Sequence, residues 1–181
     1  MTIEVKEKGT RDFYKEIVNI TTQYRQLLYR PNDKLKDNFK RYIALTAAMA
    51  LLFLMNLYGG IRGSFTTMSA LAMVFAGLAV IATILVLARM YKTLNGLIAD
   101  DHPAVLTLDE NGVEIEKKGV QTLRMAWENV AFVRSFTEST CFFAKDLSGM
   151  VLAVNNAHRK EVMDYIKDNG VDVLVVKPNI R

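Results

Sequence analysis

One cysteine, two histidines and a few clustered carboxylates are the residues here whose types could do catalytic or metal chemistry. Asp100, Asp101 and His102 are three possible ligands in a row. Adjacent side chains diverge, so such a run rarely converges on one ion, and Pro103 marks it as a solvated linker. Cys141 could serve as a nucleophile only with a base beside it, because the thiolate is the reactive form. Neither His102 nor His158 is local to it, and Phe142 and Phe143 next to it predict a buried strand cysteine. Glu114 and Glu116 share one face of a strand, and alternation on a solvent-exposed face accounts for them. His158, Arg159 and Lys160 open a helix, where cations oppose the dipole. A solvated helix end accounts for them, with an anion-binding surface as the alternative. Trp127 reads as the centre of a small core rather than as an exposed ligand anchor. No GxGxxG, GxxxxGK[ST], HExxH or GxSxG pattern occurs. The sequence therefore nominates no catalytic, cofactor-binding or metal residues, and it predicts a protein that is not an enzyme and carries no cofactor.

The elements that would have to position any site are more legible. Half of the 181 residues are apolar (51%), which fits either a rich core or bilayer spans, so the distribution along the chain decides. The formal net charge of +4 is unevenly placed. Residues 1–41 hold ten Lys/Arg against six Asp/Glu, residues 92–181 hold eleven against thirteen, and Arg62 and Arg89 supply the rest. The basic excess thus lies beside the first apolar run, where it suits anionic lipid headgroups better than nucleic-acid phosphates. A nucleic-acid partner is not expected. A single cysteine excludes an internal disulfide framework and fits a reducing compartment.

Two charge-free stretches follow a hydrophilic start that shows no cleavable signal peptide. Tyr42–Tyr58 is 17 residues long and Phe65–Ala88 is 24. At roughly 1.5 Å per residue the first is at the short end for a hydrocarbon core of about 30 Å, and the second crosses with tilt. Buried helices of that length with no charged face are rare in soluble folds, so membrane insertion is expected. Spans of about 42–58 and 65–90, joined by the short loop Gly59–Ser64, define a hairpin over 34–92. Lys34, Lys36, Lys40 and Arg41 precede it, Arg89 and Lys92 close it, and the loop carries only Arg62. The positive-inside bias then predicts a multi-pass plasma-membrane protein with both termini cytoplasmic. Ala44 and Ala48 on one helix, and Ala72, Ala76 and Ala79 on the other, are the small faces through which the spans are expected to meet. With no ionisable residue in mid-membrane, transport by this chain alone is not expected.

Outside the hairpin two segments remain. Residues 1–33 carry Phe13, Ile17, Ile20, Tyr24, Leu27 and Leu28 at helical spacing. This amphipathic helix either packs on the C-terminal domain or lies at the membrane interface. Residues 104–181 read as short strands: Ala104–Leu108 and Val113–Glu116 across an Asn-Gly turn, Val120–Met125, Val130–Phe136, Cys141–Lys145 and Met150–Val154. A helix ending at Asn169-Gly170 and a last strand-like run, Val171–Val176, complete them. The expected fold is a membrane α+β protein, with an antiparallel domain forming a curved sheet or partial barrel plugged by one helix.

Two motifs give this arrangement a likeness. The strand and turn Leu106-Thr107-Leu108-Asp109-Glu110-Asn111-Gly112-Val113, and the step Trp127-Glu128-Asn129-Val130 with Val133 beyond it, resemble the YcxB-like bacterial membrane proteins. The resemblance covers roughly residues 40–170 and implies two adjacent spans before a domain similar to a pleckstrin-homology (PH) fold. Val151–His158 lacks the proline and basic pair such a domain would carry, and Val171–Val176 extends past the closing helix. No activity comes with the resemblance. The functional expectation is a membrane-anchored, non-enzymatic binding or adaptor module whose partners are the lipid bilayer and another protein. The alternative is an accessory or regulatory subunit of a larger transporter or membrane enzyme.

Overall fold

The computed structural model describes residues 1–5, 9–63, 66–100, 104–117 and 121–176. They fall into two compact units, Asp37–Asn95 and the combination of Met1–Lys36 with Gly96–Arg181.

The first of these is a pair of antiparallel helices, which we label by chain order as α3 (Asn38–Ile61) and α4 (Thr67–Ala99, whose last turn enters the other unit). Asp37 starts α3 by accepting a hydrogen bond from the Lys40 amide at 3.2 Å, satisfying one of the donors a helix start leaves open. Three contacts fix the register. The Phe39 and Tyr91 rings meet edge-on at 5.1 Å, Thr46 donates to the Thr83 hydroxyl at 2.8 Å, and the Phe53 ring lies against Gly77. Each step forward along α3 is therefore matched by a step back along α4. The expected meeting of small faces holds on one side only. Ala76 is fully buried and Ala72 and Ala79 are half-buried, but Ala44 and Ala48 are exposed. On α3 the half-buried row is instead Tyr42, Thr46, Met49, Phe53, Asn56 and Gly60. The Thr46 hydroxyl explains the rotation: turned to α4 it gains a hydrogen-bond partner, which an alanine face cannot offer. Both helices outrun the charge-free stretches, because Lys and Arg are good helix formers and do not end a helix.

The second unit contains eight strands and three helices among its described residues. The strands are β1 (Thr2–Val5), β2 (Ala104–Asp109), β3 (Gly112–Lys117), β4 (Gln121–Ala126), β5 (Val130–Ser135), β6 (Ser139–Ala144), β7 (Val151–Asn155) and β8 (Leu174–Val176). The helices are α1 (Arg11–Thr22), α2 (Tyr24–Tyr29) and α5 (Arg159–Asp168). One sheet runs β1-β2-β3-β4, the other β7-β6-β5-β8. The two sheets face a shared core of Leu106, Leu108, Val113, Met125, Val133, Phe142 and Leu152, which α5 closes with Val162 and Ile166.

Three features depart from the sequence reading. The antiparallel domain is mixed, because β8 runs parallel to β5. The N-terminal segment packs on it, one of the two expected placements, and adds an unexpected strand: α1 and α2 cover the outer face of the second sheet, and β1 pairs with β2, Thr2 opposite Thr107. The single helix expected there is broken at Gln23, whose side-chain amide donates to the Lys36 carbonyl at 2.7 Å and whose oxygen accepts from the Lys36 amide at 3.0 Å. This covering accounts for β6, in which all six residues are buried. Phe142 and Ala144 face the shared core, while Cys141 and Phe143 face Ile20, Tyr24 and Leu27.

Gly112 in the β2–β3 hairpin is required by close approach rather than by a left-handed backbone. A Cβ there would stand 2.3 Å from the Met125 carbonyl oxygen.

Candidate functional site

Among the described residues a buried polar cluster lies where α1 meets the β5–β6 turn. Glu16, spaced from Ile17 and Ile20 so as to fall at the edge of the apolar stripe of α1, is 9% exposed. Its carboxylate accepts from the amides of Thr137 and Glu138, each at 3.0 Å, and from the Ser139 hydroxyl at 2.7 Å. The Cys141 thiol donates to Ser139 at 3.4 Å. Arg134 stands across the ladder from Cys141. Its guanidinium donates to the Pro31 carbonyl and lies 4.6 Å over the Phe136 ring, while its Nε has no partner among the described residues. Burial lowers the Arg134 pKa, and the charge of Asp33 partly offsets that.

A thiol, a hydroxyl and a carboxylate in a hydrogen-bonded chain, with an arginine across the ladder, are the ingredients of a reactive site, but their setting removes the chemistry. Cys141 is fully buried, and desolvation pushes its thiol up to about 12. The Ser139 hydrogen bond and the Arg134 charge pull the other way and are outweighed. What the cluster does is hold: it ties α1 to the tip of the sheet. Tyr24 adds a second tie, its hydroxyl lying 2.7 Å from the Ala144 carbonyl and 2.6 Å from that of Asp146 and sharing one proton between them. Sequence reasoning missed both residues as ties, since nothing near Glu16 announces turn amides more than a hundred positions away.

The other nominated residues are dispersed. Asp100 pairs with Lys117, and Asp101 and His102 lie outside the described residues. Glu114 faces Arg124, which also approaches Asp109 at 3.6 Å. Two backbone amides and that guanidinium hold the Asp109 carboxyl below its usual range. His158, just ahead of α5, pairs with Glu161 in its first turn at 3.5 Å, while Arg159 and Lys160 are exposed. Among the described residues no group of three or more metal-ligating side chains assembles. Trp127, expected at the centre of the core, sits instead in a 3-10 turn between β4 and β5. It packs against the core from its rim and donates from its indole nitrogen to the Asp109 carbonyl at 2.8 Å. The β4–β5 corner thus uses the polar edge of the indole as well as its area.

Among the described residues two exposed apolar surfaces stand out. One is the outer edge of β8, the last strand of its sheet, where Leu174 is 60% exposed while Val176 is buried. The other is the flank of the hairpin: Leu54, Met55, Ile61, Met68 and Phe75 are each more than half exposed. Both helices are long and apolar enough to cross a membrane.

No protein-family model and no curated protein matches the chain. Among solved structures, a chain of the Spt16D–Pob3N heterodimer is similar over 45% of this chain and 50% of its own length, at 11% identity and a TM-score of 0.33. The match spans half of that chain, and at that score the likeness assigns neither fold nor function.

Proposed function

We propose that this protein is a membrane-anchored, non-enzymatic binding module. In this reading α3 and α4 cross the plasma membrane as a hairpin with both termini cytoplasmic, and the β unit is a PH-like domain held at the cytoplasmic face. The observation that carries it is the exposed apolar flank of the hairpin, a surface that water would not tolerate and lipid would. Two sheets around one core closed by α5 support the PH-like assignment, and the YcxB-like resemblance of Leu106–Val113 and Trp127–Val133 belongs to the same proposal.

The binding surface we favour is the outer edge of β8. A free strand edge supplies backbone donors and acceptors to an extended peptide, and Leu174 and Val175 offer apolar contacts beside it. Deleting residues 171–181 should abolish partner binding while the chain remains in the membrane. Unchanged binding would sink the edge assignment.

The exposed Ala44 and Ala48 favour a second reading, in which α3 packs against a larger membrane protein and the chain is its accessory subunit. Exchanging α3 and α4 for an unrelated two-span anchor separates the two. The binding module keeps its function in the exchanged chain, and the accessory subunit loses it.

A further inference from the structure

We infer that Lys40, Arg41, Arg89 and Lys92 form a collar at one end of the hairpin that binds the phosphate headgroups of anionic phospholipids. The inference rests on the membrane-anchored reading and adds the lipid chemistry it takes.

The helix register places the four cations together. Thr46 faces Thr83, so six residues back along α3 and six on along α4 bring Lys40 level with Arg89. The Phe39–Tyr91 contact brackets the same level from the other side. Arg41 is then also level with Arg89, and Lys92 lies one turn beyond. All four are exposed, and none pairs with a carboxylate among the described residues. Asp37, the only acidic residue in the stretch Asp37–Asn95, is engaged in capping α3.

Four like charges in one belt repel one another, and among the described residues no carboxylate pairs with them to offset that repulsion. The belt also sits where an anion would be at hand. Toward the loop, α3 has no charged residue from Tyr42 to Ile61, and α4 has none from Thr67 to Ala88. Long cationic side chains at such a boundary extend out of the hydrocarbon to the depth of the lipid phosphates. Arg41 and Arg89 supply planar forks suited to phosphate oxygens, and Lys40 and Lys92 supply compact charges. The loop end has no counterpart: Arg62 is alone there and lies 4.7 Å over the Tyr58 ring. The collar therefore selects a leaflet as well as a lipid.

The test uses the full chain reconstituted into nanodiscs of mixed phosphatidylcholine and phosphatidylglycerol, with retained lipids counted by native mass spectrometry after mild detergent release. Phosphatidylglycerol should be retained in preference, and each cation neutralised should reduce that preference by about fivefold at most. The combined K40Q, R41Q, R89Q and K92Q variant should retain the two lipids equally, and R62Q should behave as the parent does. Equal retention by the parent, or a preference that survives in the combined variant, overturns the collar. Displacement by excess inorganic phosphate would reassign it to a free anion and overturn the lipid. Insertion is read separately: parent chain that resists alkaline carbonate extraction yet shows no lipid preference loses the collar alone, whereas extraction overturns the anchored reading and the collar with it.

Discussion

Cys141 is held on β6 with its thiol pushed up to about 12 by burial, so the folded protein carries essentially no thiolate at neutral pH. Its ordinary value is 9.0, and a raised folded pKa means that stability is intact below 9.0 and falls as pH climbs from there toward 12. Tyr24, also raised by burial, adds a loss of the same sign above 10.0. Cys141→Ala should therefore flatten the alkaline decline in stability measured by denaturant titration, and the native thiol should resist aromatic disulfide reagents until the chain unfolds. Rapid labelling of the folded protein at neutral pH would contradict this burial. Glu16 makes the complementary case. Its three hydrogen bonds join α1 to a turn more than a hundred residues away, and bonds to a charged acceptor are worth about 1.5–3 kcal/mol each before the loss is shared by relaxation. Glu16→Ala should cost about 2–4 kcal/mol in unfolding free energy. A cost below 0.5 kcal/mol, roughly what an ordinary surface substitution shows, would mean the carboxylate is not the tie described. Residue types were legible in the sequence, and so was the burial of Cys141 beside Phe142 and Phe143. The partners of Glu16 and Tyr24 were not, because a hydrogen bond across the fold leaves no local periodicity.

Elements were read best where a single physical signal dominates. The two long helices follow from uninterrupted apolarity, and the β2–β3 hairpin from its Asn-Gly turn. Their ends were read less well, since absence of charge defines a span and not a helix: α4 continues through Arg89 and Lys92 to Ala99. β1 was missed altogether, four residues whose pairing partner is about a hundred positions distant. Only half of Val171–Val176 became a strand, with Asp172 outside it. The meeting face of α3 was misassigned for an energetic reason that can be measured. The Thr46–Thr83 bond should show a coupling of about 0.6 kcal/mol in a Thr46→Val, Thr83→Val double-mutant cycle, the average for such bonds in membrane helices. A coupling indistinguishable from zero would place the helix contact elsewhere.

For the whole molecule, the chain order matters more than any one site. The N-terminal segment and the C-terminal domain form one unit, and the hairpin is inserted between them, so both of its ends continue directly into the same folded body. That arrangement suits an anchor: the domain is tethered at two points, and β1, α1 and α2 are committed to its sheets rather than free to wander. The sequence showed the two long apolar helices and most of the strands, but not this closure, which depends on contacts between residues at opposite ends of the chain. The central claim is that the hairpin crosses the membrane with the domain inside. The most direct test places single reporters in a Cys141→Ala background, Arg62→Cys in the exposed loop and Tyr29→Cys at an exposed position of the domain. A membrane-impermeant maleimide applied to intact cells should label the loop reporter and reach the domain reporter only after permeabilisation. Labelling of neither until the cells are opened would contradict the claim.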